Sequence, residues 1–174
     1  MKSNSFSMQN ETPHTRNTIP PVIRTMSLHN LIERYRAQGK YVEMEPLCQL
    51  ALEIEEQTLG PEHFEVALTL SDLAGACHLQ GKYAKAEPLY KRSLAIWENT
   101  LGKEHPRVAT TMSNLAKLYS GQGHYTQAEQ LCLRALGIQK KTLGPDHPEV
   151  ALTLKNLAEL YHRWSLVTLL RTAG

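Results

Sequence analysis

The fold is decided by the nine-residue stretch Leu59-Gly60-Pro61-Glu62-His63-Phe64-Glu65-Val66-Ala67. A close copy, Leu-Gly-Lys-Glu-His-Pro-Arg-Val-Ala, occupies residues 101–109, and Leu-Gly-Pro-Asp-His-Pro-Glu-Val-Ala occupies residues 143–151. The step from one copy to the next is 42 residues each time. Self-similarity at a period of about 20 to 50 residues is typical of stacked repeats, in which each unit is one supersecondary element. The sequence therefore predicts a repeat array, whose function belongs to a surface.

Each unit of the array contains two runs of apolar residues at helical spacing. The two runs are separated by a turn glycine at Gly39, Gly81 or Gly123, which keep the same 42-residue step. Two helices joined by a glycine turn form a helical hairpin, and a unit this small buries its apolar face only against its neighbours. We expect hairpins over about 24–60, 66–102 and 108–144, followed by a half unit over 150–163.

The fourth unit keeps the pattern through Tyr161 and then departs from it. A turn glycine is expected at position 165, where Ser165 stands, and residues 162–171 contain neither Gly nor Pro. We therefore expect the first helix of this unit to continue into an atypical tail over 164–174, so that the second helix is missing. The apolar residues that would then lose half their cover are Leu154, Leu157, Ala158 and Tyr161.

Composition and charge narrow the classes of function. Lys and Arg number 19 against 17 Asp and Glu, a net charge of +2, which gives no basis for a nucleic-acid or anionic-membrane partner. Residues 1–23 are rich in Ser, Thr, Asn and Pro without a helical period, and we expect them to be disordered. Since no secretory signal or membrane-spanning run stands out, we expect a cytoplasmic protein. The three cysteines, at helix-interior spacings, are expected to be small buried residues.

The units resemble the tetratricopeptide repeat, on the strength of Leu115-Ala116, Tyr119, Gly123, Tyr125, Ala128 and Ala135. The resemblance covers roughly residues 24–161. The longer 42-residue variety, with Ala-Glu-Pro-Leu-Tyr-Lys-Arg-Ser-Leu-Ala-Ile at 86–96, is similar to the repeats of kinesin light chains and nephrocystin. The resemblance implies an all-α, right-handed α-solenoid of about three and a half repeats. It also implies a non-catalytic protein-interaction scaffold or adaptor.

Catalytic and metal-binding motifs receive no support from the sequence. The histidines that repeat with the linker, His63, His105 and His147, are separated by whole helix pairs, far beyond the roughly 2.0 to 2.1 Å of a zinc–nitrogen bond. We expect each to hydrogen-bond locally at the start of its helix. No Ser-His-Asp order, catalytic carboxylate pair or His-Glu-x-x-His helix stands out. We therefore expect no enzyme, metal or cofactor, and a dispersed catalytic site has no motif in its favour.

The first helices of stacked hairpins line the concave side of a solenoid, where residues outside the helix seam face a ligand. In this chain the residues at those places are polar, mixed in charge and mostly short. Such a lining suits an extended peptide held by hydrogen bonds between side chains and the peptide backbone. The residues predicted to bind a peptide are Asn30, Glu33, Arg36, Ser71, Asp72, His78, Asn114, Lys117, Ser120 and Asn156.

One register position holds Asn30, Asp72, Asn114 and Asn156. Kinesin light chains look similar here, with asparagines that hold cargo peptides, and the resemblance implies that role for Asn114 and Asn156. The alternative is that an asparagine at this place only bridges neighbouring helices. A second function also stays open, in which the chain is a structural or regulatory segment that forms a homo-oligomer through its exposed C-terminal helix.

Overall fold

The computed structural model describes residues 20–172 as seven α-helices joined by short turns, with no strand in that range. The helices are α1 (Pro21–Ala37), α2 (Tyr41–Leu59), α3 (Phe64–Leu79), α4 (Tyr83–Leu101), α5 (Pro106–Gly121), α6 (Tyr125–Leu143) and α7 (Pro148–Thr172). Three hairpins, α1–α2, α3–α4 and α5–α6, stack in chain order, and α7 packs on α6 and α5. The predicted all-α repeat solenoid is confirmed.

Glycines with positive φ set the turns inside and between the hairpins. In the second hairpin, Gly81 has a φ of 74° between α3 and α4, and Gly102 has a φ of 86° after α4. An L side chain is disfavoured there because its Cβ approaches the following carbonyl oxygen. Because the equivalent glycines of the other hairpins share this sign of φ, every hairpin turns in the same way, and the stack is regular.

The histidines of the repeated linkers begin the first helices. His63, His105 and His147 each accept a hydrogen bond at Nδ1 from the backbone N–H two residues further on, at 3.2, 3.1 and 3.2 Å. Each bond satisfies one of the N–H groups that a helix start leaves without an intrahelical partner. The predicted local role of these histidines is therefore confirmed.

The apolar core runs along the array in two clusters of buried residues. Small residues are part of this core, and Ala86, Ala128 and Ala135 are completely buried. Cys48, Cys77 and Cys132 are buried and unpaired, as the sequence predicted. Their burial favours the neutral thiol, so that it raises the pKa of Cys48 to about 12 and that of Cys132 to about 11.

The array begins earlier than expected, whereas its last helix continues past residue 165 as expected. Helix α1 begins at Pro21, inside the segment 1–23 that was predicted to be disordered. The fixed φ of proline suits the first position of a helix, where its missing N–H costs nothing. Residues 1–19 and 173–174 lie outside the described part of the chain. Helix α7 passes through Ser165 and continues to Thr172. Among the helices described, none is long and apolar enough to cross a membrane.

Candidate functional site

A cleft of about 460 Å³ opens across the first helices of the three hairpins, α1, α3 and α5. Side chains of α2 and α4, among them Tyr41 and Tyr90, reach its floor. The cleft therefore crosses several repeats and is built by their stacking. Of the residues that the sequence predicted to bind a peptide, it brings together Arg36, Ser71, Asp72, His78, Asn114 and Lys117.

A smaller cavity of about 120 Å³ lies next to the cleft, between α5 and α7. It shares His78 and Lys117 with the cleft and adds two more predicted residues, Ser120 and Asn156. The remaining two predicted residues, Asn30 and Glu33, are exposed on α1 and line neither cavity. The predicted residues thus form one continuous groove only from α3 onwards, with Arg36 at its α1 edge.

At the α1 edge of the cleft, two carboxylates share one cation. Arg36 Nη1 lies 2.8 Å from Glu33 Oε1, and Arg36 Nη2 pairs with the Asp72 carboxylate on α3. Burial raises the pKa of the Asp72 carboxyl, against the opposing effect of the Arg36 guanidinium. Because both carboxylates already share Arg36, this edge has no unpaired cation for a ligand.

The α5 side of the cleft carries unpaired positive charge. Within residues 20–172, neither Lys117 nor Arg107 has a carboxylate within 4 Å, and the Arg107 guanidinium lies 5.8 Å from the centre of the Trp97 ring. Burial lowers the pKa of the His78 imidazole, and the nearby Lys117 ammonium lowers it further. His78 is therefore neutral at pH 7 and available as a hydrogen-bonding group.

A glycine opens the floor of the cleft onto a buried hydroxyl group. Gly75 stands in the register that Glu33, Lys117 and Glu159 hold in the other units, and a Cβ placed on it would lie 3.5 Å from Tyr90 Oη. Tyr90 is 3% exposed, and its burial raises the pKa of the phenol. No hydrogen-bond partner for this hydroxyl is found among the described residues. A protonated donor thus faces the cleft through the gap above Gly75.

The four residues of the asparagine register lie in different environments. Asn114 lines the cleft, and its amide has no hydrogen-bond partner within the described residues. Asn156 is 7% exposed and donates a hydrogen bond from Nδ2 to Ser113 Oγ at 3.0 Å, so that it links α7 to α5. Asp72 links α3 to α1 through Arg36. Asn114 is therefore the member of this register that lies in the cleft and has no hydrogen-bond partner within the described residues.

The cleft is also lined by Tyr90, Arg107 and Thr110, which were not predicted from the sequence. Arg107 could have been found from its register, because the equivalent positions hold Glu65 and Glu149 and the charge is reversed only here. Tyr90 also departs from its register, because the equivalent positions hold Cys48 and Cys132, but that difference alone does not place its hydroxyl in the cleft. It reaches the cleft because a neighbouring helix lacks a side chain at residue 75, which is a relation between two helices.

The arrangement suits binding. Among residues 20–172, no group of three or more His, Cys, Asp and Glu is placed to hold a metal ion. The groups that converge on the cleft are single hydrogen-bond donors, acceptors and cations. An all-α stack of helical hairpins with such a groove defines a class of repeat proteins that present a binding surface.

The chain belongs to the tetratricopeptide repeat family, whose model matches residues 24–98, 65–131 and 122–165. Tetratricopeptide repeats are in general scaffolds for protein–protein interaction, and their fold is generally non-catalytic. The matched ranges together contain every cleft residue named above. The predicted family and the coarse class of function are thereby confirmed.

Solved structures of kinesin light chain-like repeats resemble this chain. The crystal structure of BtubC (BKLC) from P. vanneervenii has a TM-score of 0.75 and 26% identity, over 84% of this chain and 59% of that one. A Podosopora anserina putative kinesin light chain with nearly identical TPR-like repeats has a TM-score of 0.74 and 30% identity, over 87% and 71%. A second crystal structure of the same Podosopora anserina protein gives a TM-score of 0.73 at the same identity. The aligned part of this chain thus spans 59% of BtubC.

Proposed function

We propose that the cleft across α1, α3 and α5 binds an extended segment of a partner protein. The observation that supports this most directly is the pair of unsatisfied polar groups in the cleft, the Asn114 amide and the Tyr90 hydroxyl. Buried or half-buried polar groups are normally hydrogen-bonded, and one left without a protein partner requires an explanation. A bound peptide backbone supplies both donors and acceptors to such groups.

The spacing of the helices suits an extended backbone. Neighbouring packed helices lie about 8 to 10 Å apart, and an extended chain advances about 3.3 Å per residue. About three peptide residues therefore separate a contact with Ser71 on α3 from a contact with Asn114 on α5. A short segment can bond to both helices, and its backbone needs no particular side chains to do so.

The charges of the cleft favour an acidic residue in the segment, placed towards α5. Lys117 and Arg107 have no carboxylate partner within the described residues, whereas Arg36 is shared by Glu33 and Asp72. A carboxylate near Lys117 would gain an ion pair without breaking one. The neutral His78 beside it adds no competing charge. We expect a modest affinity, because a dissociation constant of about 1 μM corresponds to about 8 kcal/mol.

A displayed library of unstructured peptides, selected against the full chain, tests this proposal. We expect enrichment of peptides with an acidic residue and at least about a tenfold loss of affinity for Asn114→Ala or Lys117→Ala. The matched control variants are Asn99→Ala on α4 and Lys140→Ala on α6, which make the same changes at exposed positions away from the cleft. Equal affinities of all four variants, or no enrichment, would refute binding in the cleft.

A further inference from the structure

The exposed side of α7 carries four residues, here named the α7 stripe, whose counterparts on α5 are buried. Leu154 is 44% exposed and Tyr161 is 43% exposed. At the same register positions of α5, the residues are Ala109, Met112, Ala116 and Tyr119, all buried and in clusters with α6. The members of the α7 stripe are Ala151, Leu154, Ala158 and Tyr161.

The α7 stripe is uncovered because α7 does not turn back on itself. The earlier hairpins turn at Gly81 and Gly123, whereas α7 continues through Ser165. Its extension is held in place, since the rings of Trp164 and Tyr125 stack at 5.9 Å and an interplanar angle of 15°. Within the described residues no helix follows α7. Within residues 20–172, this fixed apolar face of α7 therefore has no covering helix.

The order of residue sizes on α6 shows what kind of helix covers such a face. Along its contact with α5, α6 presents Ala128, Leu131, Ala135 and Ile138, at spacings of three, four and three residues. The α7 stripe has the same spacings and the same order, with Ala, Leu, Ala and a large residue. The α7 stripe therefore resembles the face of α5 that α6 covers. It also resembles the face of α6 that covers α5.

Because the α7 stripe resembles both α5 and α6, it can pair with a second copy of itself when two α7 helices lie antiparallel. If a two-fold axis passes beside residue 156, Ala151 lies opposite Tyr161 of the second copy, and Leu154 lies opposite Ala158 of the second copy. Each contact then joins a small residue to a large one, as in knobs-into-holes packing. The antiparallel direction is also that of α5 and α6, which are joined by a tight turn.

We propose that two copies of this chain associate through the α7 stripe, antiparallel about an axis beside residue 156, and that each copy supplies the helix missing from the last hairpin of the other. The interface is isologous, because the same residues contribute on both sides. It is independent of peptide binding, since no residue of the stripe lines the cleft or the adjoining cavity. No charged residue belongs to the stripe, and the Glu129 carboxylate of α6, which lies beside it, already accepts a hydrogen bond from the Tyr161 hydroxyl.

Sedimentation of the full chain over a range of concentrations tests the association. We expect a reversible equilibrium between 19.6 kDa and twice that mass. Leu154→Glu should raise the dissociation constant at least about 100-fold, because pairing would bury an unpaired carboxylate. Leu133→Glu, which changes a leucine that is 49% exposed on α6, should leave it unchanged. A chain that is monomeric at every concentration, or a dimer that persists in Leu154→Glu, would overturn the proposal.

Cross-linking tests the direction of the pair without relying on Leu154→Glu. Residues 151 and 161 of one helix are about 15 Å apart at 1.5 Å per residue, beyond the reach of a disulfide. The double variant Ala151→Cys/Tyr161→Cys should form a dimer linked by disulfides on oxidation, and Ala151→Cys alone should not. Equally efficient cross-linking of the single variant would indicate a parallel pair and overturn the antiparallel arrangement.

Discussion

The same leucine-to-alanine substitution at two equivalent positions tests how much stability a leucine gains from a covering helix, apart from the properties of its own helix. Leu70 on α3 and Leu154 on α7 are two repeat steps apart. Leu70 is completely buried, whereas Leu154 is 44% exposed. Leu70→Ala and Leu154→Ala therefore make the same substitution in the same register, and the two sites differ in whether a second helix covers them.

The expected losses of stability follow from the buried fraction. Leucine to alanine removes three carbon atoms, or about 2.4 kcal/mol at about 0.8 kcal/mol for each buried carbon. At Leu70 an added cavity term brings the loss in unfolding free energy to about 3 to 5 kcal/mol. At Leu154, 44% exposure scales the transfer term to about 1.3 kcal/mol, and solvent fills the space.

Urea unfolding followed by far-ultraviolet circular dichroism measures both losses, at a chain concentration low enough to keep the protein monomeric. The slope of free energy against urea should stay unchanged, which shows that the same surface is exposed on unfolding. Equal losses for the two variants, or a loss below about 1 kcal/mol for Leu70→Ala, would refute the account of stacking.

Four further results are expected. Gly75→Ala should raise the free energy of unfolding by about 0.5 to 1 kcal/mol yet weaken binding of a selected peptide, because the new methyl group covers Tyr90 Oη. Gly137→Ala, in the open middle of α6, should stabilise without affecting binding, and equal effects on binding would argue against the Tyr90 contact. By NMR titration, the pKa of His29 should lie above 6.5, since its Nε2 is 3.1 Å from Glu55 Oε1, and that of His78 below 6.5. The stability that His29 contributes is then fully present below pH 6.5 and lost as the pH rises through its raised pKa, so that unfolding free energy should fall less over that range in His29→Gln. Ser93→Ala should cost about 1 kcal/mol through its 2.7 Å hydrogen bond to the Ala67 carbonyl, and a loss above about 3 kcal/mol would indicate a packing role. The three thiols should react slowly with a disulfide reagent in the native chain and fully after unfolding, and rapid native labelling would contradict their burial.

The sequence predicted well those features that each unit repeats. The glycine turns and the histidine helix starts recur every 42 residues, so that three copies support each assignment. Gly81 and His105 illustrate this, because the backbone conformation of one and the hydrogen bond of the other follow from local chemistry. The register of the concave helices likewise brought six of the predicted residues into one cleft.

The features that the sequence did not predict depend on a single unit and on a contact between helices. Glu55 is a buried carboxylate whose register neighbours are Trp97 and Gln139, and its proximity to His29 requires the placement of α1 over α2. The Tyr90 hydroxyl reaches the cleft only because residue 75 is a glycine. Neither contact recurs in the other units, so that the 42-residue repeat alone does not predict it.

Hydrogen exchange of the full chain, at a concentration that keeps it monomeric, tests most directly the claim that each hairpin is stabilised by its neighbours. Helices α3 and α5 are packed between helices of the units before and after them, while α1 packs on α2 and residues 162–172 extend past the stack. Amides of α3 and α5 should therefore exchange slowest, and those of α1 and of residues 162–172 fastest. Equal protection of α1, α3, α5 and residues 162–172 would show that the hairpins are not stabilised by their neighbours.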